Sequence, residues 1–138
     1  MRLFNSTHTK WLLLGDLLIL LIFSWLGRVT HEMPVDMGIV LWTTFPFAIT
    51  WLLVAPTLGI YSTTSLESKR QMFFRTSGTV FISITLSIWF RSILTQHPFH
   101  WLFYVVTLLA LLPLFLIWRV TYTWIYQRVH ATHNPSTN

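Results

Sequence analysis

Seven residues in this sequence have side chains and positions suited to chemistry. Asp16 lies within one long apolar run and Arg119 within another near the far end. Arg28, His31, Arg91, His97 and His100 lie at the margins of such runs. An ionisable group inside apolar sequence is costly and is normally partnered. Asp16 stands five residues beyond Trp11, ~7.5 Å along a helix, and Arg119 stands seven residues before Tyr126, ~10 Å from the same side. These matching depths predict that Asp16 and Arg119 pair, with Arg75 as a competing partner nearer the boundary. The expected role is a pin that fixes helix register. The sharper alternatives are a carboxylate that handles protons or substrate, and a carboxyl kept neutral by apolar surroundings.

Arg28 and Arg91 form a second candidate. Guanidinium forks match carboxylates and phosphates, so the pair can be read as an anion or lipid-headgroup site. The plainer reading is snorkelling to headgroups. His31, His97 and His100 fall at the same boundary, and three imidazoles can in principle hold a metal, a haem or another pigment. They form no local ligand motif, so no metal or cofactor is predicted. His8, His130 and His133 are expected to be solvated tail residues. A third set is uncharged. Thr43, Pro46, Thr50, Leu53 and Thr57 share one helical face, as do Thr79, Ser83 and Ser87 leading to Arg91. Small and hydroxyl side chains at that spacing are packing glue between membrane helices, with a water-lined path as the alternative. Asp16, Leu20, Phe23, Gly27 and His31 are expected along one inward face, with Gly27 allowing close approach of a neighbour.

The elements that must position these residues follow from composition. Asp, Glu, Lys and Arg make up 9% of the 138 residues, against roughly 25% in an average soluble domain. Apolar and aromatic residues make up 54%, more than a soluble chain of this length can bury. Aromatic content excludes disorder, and the absence of Cys excludes a disulfide scaffold and thiol chemistry. The net charge of +5 is spread without a basic run, which argues for lipid headgroups over nucleic acid. A bilayer core of ~30 Å needs about 20 helical residues. Four runs qualify, at about 11–29, 38–60, 72–94 and 99–126. The predicted fold is all-α, one domain over 1–138, a bundle of four transmembrane helices with short polar tails. No small-x-small site follows the first run, so it is expected to be a retained anchor.

Arg2, Lys10, Lys69, Arg70, Arg75, Arg119 and Arg128 fall on one side of these spans, and only Arg28 and Arg91 on the other. That asymmetry predicts both termini in the cytoplasm. Trp11, Trp118 and Trp124 then lie toward the inner boundary, and Trp25, Trp42, Trp89 and Trp101 toward the outer one, as an aromatic belt. Phosphate-loop, zinc-protease and serine-hydrolase motifs are all missing, and no catalytic constellation emerges.

The order of Asp16, Gly27-Arg28 with His31, Pro46-Phe47, Arg91 and Trp118-Arg119 resembles a family of small prokaryotic four-span membrane proteins, domain of unknown function 3054. The resemblance runs from about residue 11 to residue 120. It implies a membrane location and four spans, and it supplies no activity, substrate or cofactor; the membrane expected is the prokaryotic plasma (inner) membrane. Thr50 stands before Trp51 where the family pattern has Gly, which allows less close helix contact there. The function expected is that of a non-catalytic structural or accessory membrane component, in contact with lipid and other membrane subunits. A small transporter or anion binder using Asp16 and the Arg28/Arg91 pair is the alternative. A haem, pigment or metal subunit through the outer histidines is a further one.

Overall fold

The computed structural model describes residues 7–132; Arg2 and His133 lie outside that range. Every regular element among the described residues is helical. Four are long: α1 (Thr7–Thr30), α2 (Met37–Thr57), α4 (Lys69–Thr95) and α5 (Trp101–Thr132); the short α3 (Thr63–Glu67) lies between α2 and α4. The four long helices are long and apolar enough to cross a membrane. At 1.5 Å per residue the 32 residues of α5 reach ~48 Å, well past a ~30 Å hydrocarbon core.

The helix ends follow local chemistry. Glu32, at φ 53°, turns the chain after α1, and the amides of Met33 and Glu32 bond back to the carbonyls of Arg28 and Val29 at 2.9 and 3.1 Å. This is a Schellman closure with an acid where glycine is usual. Asp36 caps α2, its carboxylate accepting from the Gly38 amide at 2.9 Å. α2 stops at Thr57, short of the expected 60, because Pro56 and Gly59 together end it. Gly59 has φ +65°, and a Cβ there would lie 3.1 Å from Arg75 Nη1, so both the turn and the close approach require glycine. The polar stretch at 61–71, expected to be a loop, instead folds α3 and the first turn of α4, where the Ser68 hydroxyl accepts from the Gln71 amide. Pro98 lies in the connection rather than in the first turn of the last helix. There the His100 carbonyl accepts the Tyr104 amide at 3.1 Å.

The long helices close a ring: α1 packs on α2, α2 on α4, α4 on α5 and α5 on α1. α3 tucks against α4 and α5, where Gln127 Nε2 donates to the Leu66 carbonyl. The centre of the ring holds Trp51, wholly buried and stacked on Phe115 with ring centroids 4.1 Å apart. Outward side chains remain apolar. Ile93, Leu102 and Leu109 are each at least 70% exposed, which suits hydrocarbon and not water.

Candidate functional site

Asp16 and Arg119 are the only charged residues fully buried among those described, at 0% and 1% exposure. Arg119 Nη2 donates to Asp16 Oδ2 at 2.5 Å. The same oxygen accepts the Tyr61 hydroxyl at 2.7 Å and Trp51 Nε1 at 3.1 Å. Trp51 Nε1 also points to the Tyr61 oxygen at 3.1 Å, and the Arg119 guanidinium sits over the Tyr61 ring, 5.1 Å from its centroid. One carboxylate oxygen therefore ties together α1, α2, the turn after α2, and α5. Charge-assisted bonds of this kind are roughly twice as strong as neutral ones. Burial, reinforced by the Asp16 charge, pushes the Tyr61 phenol above its ordinary value, so it stays a donor. Asp16 Oδ1 and Arg119 Nε and Nη1 are buried with no hydrogen-bond partner among the described residues, so the node retains unused bonding capacity.

Gly15 makes the depth of this node attainable. A Cβ at that position would fall inside the Trp118 ring, so only glycine lets α1 lie this close to α5. Trp118 is half-buried, and its Nε1 makes no hydrogen bond to the described residues. Its ring packs against Gly15 beside the node. Arg75, the competing partner, is engaged elsewhere: its Nη1 donates to the Gly59 carbonyl at 2.9 Å and to Ser62 Oγ at 2.8 Å.

The inward face of α1 differs from the expected one. It is Thr9, Leu12, Asp16, Leu20 and Ser24. Steps of four after Asp16 carry the buried stripe to Ser24 and leave Gly27 with nothing within 4 Å of an added Cβ, and His31 exposed. Gly27 therefore makes no close helix contact. On α2, Thr50 and Pro46 are buried, Thr43 is half-buried, and Leu53 and Thr57 face outward. Thr79, Ser83 and Ser87 of α4 are all buried. Thr50 Oγ1 bonds Ser87 Oγ across the α2/α4 contact, and each also bonds a carbonyl of its own helix. His8 is not solvated: its Nδ1 shares a 3.2 Å bond with the Tyr122 hydroxyl, and its ring meets Tyr126 edge-on at 4.8 Å.

At the other end, Arg28 and Arg91 line one cavity of about 240 Å³ with Thr43, Pro46, Thr95 and His97. Arg28 Nε donates to the Pro34 carbonyl at 2.6 Å and its Nη1 to Thr43 Oγ1 at 3.0 Å. Arg91 sits over Phe103, 4.7 Å from the centroid. His100 lines a neighbouring cavity with His97, and His31 lines neither. Among the described residues no three His, Asp or Glu gather as a metal ion requires.

Trp51, Tyr61 and Gly15 were not singled out as site residues from sequence. The signal for Tyr61 is the Pro56/Gly59 stop, which folds the chain back beneath the end of α2. A family model described as "Protein of unknown function (DUF3054)" matches residues 13–122, a stretch that contains every member of the Asp16 node and both outer arginines. No curated protein and no solved structure matches.

Proposed function

The chain belongs to the DUF3054 family of proteins of unknown function, and we propose that it is a non-catalytic structural or accessory component of a prokaryotic plasma membrane. In this reading it is a four-helix bundle with both termini in the cytoplasm, bounded by lipid and by other membrane-protein subunits. The observation that carries the reading is the Asp16 node. A carboxylate that relays protons or substrate must exchange partners during its cycle. Oδ2 of Asp16 already takes three donors from three other elements, and each of them also holds the helices together. The orientation rests on the basic residues: Lys10, Lys69, Arg70, Arg75 and Arg128 gather toward one end, and Arg28 and Arg91 toward the other.

Extraction in mild detergent after crosslinking tests the reading, and a partner subunit recovered at fixed stoichiometry is expected. A lone protein that moves solute across liposomes, and stops when Asp16→Asn is introduced without loss of folding, would overturn it. A visible absorption band in the purified sample would favour a haem or pigment subunit instead. A reporter fused after Asn138 is expected to be cytoplasmic, and a periplasmic signal would reverse the orientation.

A further inference from the structure

The end of the ring that carries Arg28 and Arg91 is built differently from the Asp16 node. Two cavities meet there. The first, about 240 Å³, is lined by Arg28, Thr43, Pro46, Arg91, Thr95 and His97. The second, about 270 Å³, shares Arg91, Thr95 and His97 with it and continues past Ser92, His100 and Phe103. No carboxylate lines either cavity. Glu32 and Asp36 belong to the same end, but both are exposed, and Asp36 is occupied in capping α2. Asp16–Arg119 is the sole ion pair among the described residues, so neither outer arginine is neutralised by an acid.

The two guanidinium groups have different parts. Arg28 is held in place: Nε and Nη1 are bonded to Pro34 and Thr43, which leaves Nη2 for a ligand. Arg91 is half-buried, and its guanidinium makes no hydrogen bond to the described residues. Only the Phe103 ring steadies it, from one face, and its edge N–H groups remain available. A planar fork of donors, partly desolvated and fixed by stacking, is the usual receptor for a bidentate oxyanion. The walls around it are mixed: hydroxyls of Thr43, Ser92 and Thr95 beside Ile88, Leu94 and Phe103. Exposed Trp42 and Trp101 lie at this end of the ring, as residues at a headgroup boundary do.

We infer that these joined cavities are a binding site for a phosphate-bearing anion, with Arg91 as its principal ligand and Arg28 as a second, pre-oriented one. The phosphate can reach it as a lipid headgroup from the adjoining leaflet or as a free anion from the aqueous phase. The site is independent of the structural role assigned to Asp16.

The test uses the full chain in mild detergent, as wild type, Arg91→Gln, Arg91→Lys and Arg70→Gln. The probes are short-chain phosphatidylglycerol, the matching diacylglycerol without phosphate, and inorganic phosphate, each titrated while the thermal midpoint is read. Saturable stabilisation by phosphatidylglycerol is expected, with at least a tenfold loss of apparent affinity in Arg91→Gln. Arg91→Lys keeps the charge and loses the fork, so it falls between the two and serves if Arg91→Gln does not fold. Arg70→Gln should behave as wild type. The same saturable, Arg91-dependent response to inorganic phosphate identifies a soluble anion as the source, and a response to phosphatidylglycerol alone identifies a headgroup. A response equal in all four proteins, equal with the phosphate-free lipid, or absent with every probe overturns the inference.

Discussion

Replacing Asp16 by Asn keeps the shape of the side chain and removes its charge. Arg119 then remains 1% exposed and still charged, because a guanidinium does not lose its proton in proteins. Its Nε and Nη1 have no partner among the described residues to compensate. Breaking a buried ion pair from one side costs about 3–5 kcal/mol. At roughly 3 °C per kcal/mol for a chain of this length, the unfolding midpoint should fall by about 10 °C. Removing both charges, as Asp16→Leu with Arg119→Met, should be milder. Trp51 Nε1 keeps its 3.1 Å bond to the Tyr61 oxygen, and only the Tyr61 hydroxyl proton loses its acceptor. That loss is worth about 1–3 kcal/mol, so the double variant should unfold several degrees above Asp16→Asn. Thermal unfolding in mild detergent, with size-exclusion chromatography to confirm a folded start, measures both. An Asp16→Asn midpoint equal to wild type, or a double variant no better than Asp16→Asn, would refute the assignment of Asp16 as a pin.

Two further outcomes follow from the same node. Gly15→Val should destabilise by about 1–3 kcal/mol, since its Cβ would fall within the Trp118 ring, and Trp118→Leu should recover part of that loss in a double-variant unfolding series. For Tyr61 the folded state holds its proton more tightly than the unfolded chain, owing to burial first and the Asp16 charge second. Its contribution to stability is thus complete below the unfolded value of about 10 and is lost as pH rises above it. The midpoint gap between wild type and Tyr61→Phe should accordingly narrow between about pH 9 and 11, and a constant gap across that range would show that Tyr61 titrates alike in both states.

Much of the architecture was legible because lipid imposes a simple rule. Backbone groups must be satisfied within the segment, so an apolar run of about 20 residues becomes a helix. The four spans are readable for that reason, and their ends are less so. Pro56 and Gly59 end α2 before its hydropathy falls, while α5 continues to Thr132 because Gln127, Arg128 and His130 are good enough helix residues once outside the apolar run. Side-chain facing was harder. Thr79, Ser83 and Ser87 share one face by spacing and are all buried, since a four-residue step over two turns drifts little. The face through Asp16 did not extend to Gly27 and His31, because the three-residue step from Leu20 to Phe23 leaves the four-residue stripe that continues to Ser24. Tyr61 and Trp51 were invisible as partners of Asp16. Tyr61 reaches Asp16 only through the chain reversal at Gly59, and Trp51 only through the packing of α2 on α1, and spacing within one helix encodes neither.

The Asp16–Arg119 ion pair joins the first long helix to the last, with α2, α3 and α4 between them in the chain. During synthesis Asp16 emerges well before Arg119 exists. For that interval the nascent protein holds an acid in its first span without the cation that completes it. A chain that ends before α5 leaves the Asp16 carboxylate with only the Trp51 and Tyr61 donors and no opposing charge.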